Sequence, residues 1–98
     1  MEKKKAEQKI TKRDESEKRK LINRLNRVEG QIKGIRKMIE EDRYTPDILV
    51  QSSAAKAAME AFNKAILSDH LRNVVPKDIR NNNDEALNDL ITVIGSGI

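Results

Sequence analysis

Residues 21–44 read LINRLNRVEGQIKGIRKMIEEDRY, and their spacing decides the fold class. Leu21, Leu25, Val28, Ile32, Ile35 and Ile39 follow one another at steps of 4, 3, 4, 3 and 4 residues. That rhythm lays one continuous apolar stripe along a helix, predicted from about Ser16 to Glu41. Ile22 and Met38 fall off the stripe on opposite sides. Gly30 and Gly34 weaken the helix but permit a neighbouring backbone to come close.

Downstream, Tyr44-Thr45-Pro46-Asp47 reads as a helix start. Thr45 is expected to cap, Pro46 suits the first helical position and Asp47 complements the helix dipole. Tyr44 and Leu49 are placed for a hydrophobic staple across that cap. The second helix is predicted to run to about Asn73, where Pro76 stops it. Ile48, Ser52, Ala55, Met59, Phe62 and Ile66 repeat the 4, 3, 4, 3, 4 spacing. Ala54, Ala58, Ala61 and Ala65 form a second face, small enough for close helix packing. Lys77 to Asn83 reads as a polar connection, and Asn82 with Glu85 as the capping pair of a short third helix through Ile94. Upstream, residues 1–15 form a charged arm expected to be mobile, leaving 16–98 as a single helical domain.

The 98 residues hold one Tyr, one Phe and no Trp, so the chain's own core is thin. Two long helices with apolar stripes and an alanine face are not satisfied by a lone hairpin. The simplest solution is an all-α assembly: three-helix subunits pairing into an antiparallel four-helix-bundle dimer, with the remaining faces joining dimers into a tetramer.

Net charge is +4 and unevenly spread. Residues 1–43 carry 15 Lys/Arg and 9 Asp/Glu, whereas residues 44–98 are slightly acidic. A basic first half points to a polyanion partner, although a solvated helix of mixed charge gives the same counts. No cysteine is present, which excludes disulfides, thiolate metal sites and thiol redox sensing. No apolar run reaches membrane-spanning length and the N-terminus is charged, so a cytoplasmic protein is expected. One His, no glycine-rich phosphate loop and no paired-carboxylate motif argue against an enzyme.

On a helical wheel Lys20, Arg24 and Arg27 lie within a narrow arc beside the stripe, joined by Arg13 if the helix extends back into the arm. Repeated in an oligomer, such a row makes a phosphate-binding surface with salt-dependent affinity. It also serves simply to keep an exposed face soluble. Nothing resembles a helix-turn-helix, so DNA would be read from a bundle face. His70, the only histidine, continues the second stripe, where a lone His is commonly a core residue. It lies about 37 Å from Thr45 along a helix, so the two ends share a site only between antiparallel chains.

The segment LINRLNRVEGQIKGIRKMIEEDRY, with DILVQSSAAKAA and SDHLRN after it, resembles the CsoR/RcnR family of copper-, nickel- and formaldehyde-responsive repressors over residues 20–94. The resemblance implies a three-helix subunit, a disc-shaped tetramer and a repressor of double-stranded operator DNA released by an inducer. It places the family's DNA-contacting arginine on Arg24. The family's two ligand cysteines fall on Thr45 and Val74, its ligand histidine on His70, and two residues coupling the site to DNA on Tyr44 and Asp89. Without thiolates copper(I) is poorly served by one imidazole, and formaldehyde and persulfide sensing, which need the first cysteine, are ruled out. A divalent metal held through His70 stays open as a cofactor, as does a helical scaffold without regulated DNA binding.

Overall fold

A computed structural model describes residues 9–97, which contain four helices and no strand: α1 (Glu15–Glu40), α2 (Thr45–Asn73), α3 (Val75–Arg80) and α4 (Asp84–Gly95). Asp14 starts α1, its Oδ1 accepting the Glu17 backbone N–H at 2.8 Å. Glu15 and Glu17 in the first turn and Lys37 in the last complement the helix dipole. At the other end Asp42 turns left-handed, with φ 54°. This lets the Arg43 N–H reach the Met38 carbonyl and the Asp42 N–H the Ile39 carbonyl, a Schellman closure.

The chain then reverses into α2, which packs antiparallel to α1. Tyr44, not Thr45, is the N-cap, and it offers no side-chain hydrogen bond. The helix takes in Thr45 as its first residue and Pro46 as its second, so the threonine hydroxyl cannot cap. The expected staple is also absent, since Tyr44 and Leu49 are 71% and 61% exposed. The predicted connection from Lys77 is in fact the short helix α3. Pro76 ends α2 because it lacks the N–H that the preceding turn needs, yet it fits the first turn of a new helix.

The three asparagines that follow divide the work. Asn81 is the C-cap of α3, Asn82 takes the left-handed conformation at φ 54°, and Asn83 caps α4 through its Oδ1 on the Ala86 N–H. The capping residue is thus one position later than expected.

The α1 stripe is split lengthwise. Leu21 and Val28 are buried against α2 and Ile35 is half-buried, whereas Leu25, Ile32 and Ile39 stay exposed. On α2 only Ala55 is a buried apolar residue; Phe62 and Ile66 are half-buried, and Ser52 and Met59 point outward. Nothing approaches within 4 Å of where a side chain on Gly30 or Gly34 would stand, so neither glycine is used for close packing within the chain. Among the helices α4 meets only α3 closely, leaving Ile91, Val93 and Ile94 exposed. The radius of gyration is 17.8 Å, against about 12.5 Å for a compact domain of this length. No described helix is long and apolar enough to cross a membrane.

Candidate nucleic-acid interface and sensing cleft

The basic row stands on α1 beside its buried stripe, and Lys20 and Arg24 lie along the edge that faces α2. Lys20, Arg24 and Arg27 are all exposed. Lys20 leans toward Glu17 at 3.7 Å, while Arg24 and Arg27 make no ion pair among the described residues. Arg13 does not extend this row. The helix begins at Glu15, and Arg13 turns inward, its Nε 3.5 Å from Asp69 Oδ2. Asp69 is the buried charged residue of the described chain, and its other oxygen accepts from Asn73 Nδ2 at 2.7 Å. This pairing ties the segment before α1 to the end of α2.

The last turn of α2 faces a second feature. His70 and Val74 line a cleft of about 490 Å³ whose far wall is α4, including Asp89. Three residues singled out from the sequence are therefore brought together within one chain. Thr45 and Tyr44 are not, because α2 is unbroken between Thr45 and His70. Lys9 closes one side of the cleft, its Nζ 2.8 Å from Asp89 Oδ2 and 2.9 Å from Glu85 Oε2. The hydrogen bonds that it donates, to Asp89 foremost and then to Glu85, hold its ammonium charged well above the usual lysine range. Residues 1–8 of the predicted arm lie outside the described residues; residues 9–14 are non-helical and rest against the body at Asp69 and α4.

The donor set here is poor for a soft ion. His70 offers one imidazole, Val74 offers no donor, and Asp89 is engaged by Lys9. Among the described residues no group of three or more His, Asp or Glu side chains is placed to hold a metal ion. Sequence reasoning missed Lys9, Asp69 and the nearby Arg72. Their roles rest on contacts between distant segments, such as the 80-residue separation of Lys9 and Asp89.

The fold is thus a long helical hairpin with an exposed basic row, followed by short helices beside a cleft at the α2 terminus. Residues 17–96 match the family described as metal-sensitive transcriptional repressor. The chain is 40% identical over 94 residues to the copper-sensing transcriptional repressor CsoR of Bacillus subtilis, spanning 95% of this chain and 93% of that one. It is 45% identical over 56 residues to the copper-sensing transcriptional repressor RicR of Mycobacterium tuberculosis, spanning 57% and 58% of the two chains. Its fold superposes with a TM-score of 0.82 on a crystal structure of the copper-sensing repressor CsoR with Cu(I) from Geobacillus thermodenitrificans, at 39% identity and covering 89% of this chain and 92% of that one. The protein belongs to the metal-sensitive transcriptional repressor family, whose members are regulators and not enzymes.

Proposed function

We propose that the protein is a repressor that binds double-stranded operator DNA through Lys20, Arg24 and Arg27, displayed repeatedly on a homotetramer, and that it does not sense copper(I). The observation that carries the second half is the absence of cysteine from the chain. The resemblance to the family implies ligand cysteines at Thr45 and Val74, where this chain carries a hydroxyl and an isopropyl group instead of two thiolates. One imidazole does not hold copper(I) against thiol-rich competitors. A harder divalent ion on His70 is the remaining metal reading, with Tyr44 and Asp89 as the residues through which occupancy is relayed.

The assembly is supported by the outward half of the α1 stripe. Leu25, Ile32 and Ile39 need a second hairpin to cover them, and a four-helix bundle supplies it. Pairing antiparallel chains also brings Thr45 and Tyr44 of one copy toward His70 of another. The test is a gel shift on a duplex from the gene's own promoter region, with and without copper(I) held by a chelating buffer. Retarded DNA that copper(I) does not release is expected. No retardation at micromolar protein overturns the repressor reading in favour of a helical scaffold.

A further inference from the structure

Between the start of α1 and the end of α2 lies a notch of about 210 Å³, lined by Lys20 and Arg24 from one helix and by Ser68 and Arg72 from the other. We propose that Arg72 completes a phosphate-binding notch with Lys20 and Arg24, gripping a DNA backbone phosphate from two helices at once. The proposal rests on the reading of the α1 row as the operator surface and adds a contact from α2 to it.

Electrostatics favours an anion here. Two acidic residues also line the notch: Asp69 is engaged by Arg13 and Asn73 with its side chain 5% exposed, and Glu17 and Lys20 offset one another at 3.7 Å, so that the uncompensated charge comes from Arg24 and Arg72. Arg24 and Arg72 have no ion-pair partner among the described residues. Uncompensated guanidinium groups lining a concave site are screened less than the same groups on a convex helix. Their planar donor forks match phosphate oxygens, and the Ser68 hydroxyl adds a further hydrogen-bonding group. Arg72 also sits in the last turn of α2, where the dipole favours any cation. A purely structural role for it is therefore the competing account.

The two accounts separate on the full-length protein. Fluorescence anisotropy with a random-sequence duplex gives the slope of log affinity against log salt for the wild type, Arg72→Gln and Arg72→Lys. Arg72→Gln is expected to lower the slope by about 0.9 for each copy in contact with DNA, and Arg72→Lys to restore it. The thermal midpoint of Arg72→Gln should stay within a few degrees of wild type. An unchanged slope in Arg72→Gln overturns the proposal, as does a loss of affinity that merely follows a large fall in the thermal midpoint. If the wild type binds no duplex, the operator reading fails, and inorganic phosphate then tests the notch alone. Saturable NMR shifts of the Arg24 and Arg72 Nε–H signals support the notch, and flat titrations overturn it.

Discussion

Arg13 Nε lies 3.5 Å from Oδ2 of Asp69, joining the segment before α1 to the one carboxylate that the described fold buries. Removing one member of such a pair leaves the other desolvated, at a cost of about 3 kcal/mol. Asp69→Ala is expected to lose roughly that much in urea denaturation at fixed protein concentration. A loss below about 1 kcal/mol, the range of a surface pair, means that the contact contributes nothing beyond solvated charge.

Arg24→Ala and Arg27→Ala are expected to weaken operator binding without unfolding the protein, because both side chains are exposed beside the stripe. Each lost phosphate contact flattens the salt dependence by about 0.9 in log–log slope. Circular dichroism and anisotropy on the double variant check this together. Wild-type affinity in that variant reduces the row to a solubilising face.

Asn82 adopts φ 54°, a conformation that costs most L-residues about 1–2 kcal/mol. Asn82→Ala is therefore expected to destabilise the protein by about 1 kcal/mol, whereas Asn82→Gly holds or raises stability. Thermal melts of the two variants decide the point. Equal midpoints show that the α3–α4 corner relaxes out of its left-handed turn.

Thr45→Cys together with Val74→Cys is expected to rebuild a site of two sulfurs and one nitrogen between antiparallel chains, using His70. Copper(I) affinity in a competition titration should rise by orders of magnitude over the unmodified protein. The placement of Thr45 as the first residue of α2, directly before Pro46, is the geometric hazard. Tight copper(I) binding that releases DNA from the unmodified protein overturns the reading of the cleft.

Light scattering is expected to give about 45 kDa, four chains of 11.2 kDa. A stable monomer at micromolar concentration contradicts the assembly drawn from the exposed half-stripe.

Much of this was legible in advance, and the exceptions have physical causes. The spacing from Leu21 to Ile39 predicts α1 to within one residue at each end, because a long amphipathic period outweighs local detail. The second helix ends at Asn73 as expected, since Pro76 is an unambiguous stop. Helix α3 is only six residues long and too short to show a period. The same proline that stops one helix also opens another. The stripe as read did not distinguish Leu21 from Leu25, because which half faces its own hairpin depends on the rotation of α1 against α2. Of the residues that the resemblance assigns to a sensing site, His70, Val74 and Asp89 line one cleft, while Lys9 has no local signature and is found only through its partners. Arg13 was conditional on a longer helix, and the Asp14 cap cuts that helix short.

The outward-facing Leu25, Ile32 and Ile39 have a consequence for how such a regulator responds to dose. If their burial is supplied by other copies, folding and association are one equilibrium, and mass action sets the fraction of competent protein. The denaturation midpoint then climbs with total concentration, and occupancy of the operator rises more steeply than a simple hyperbola. Dilution during growth without fresh synthesis would by itself lift repression, with copy number doing the work of an inducer.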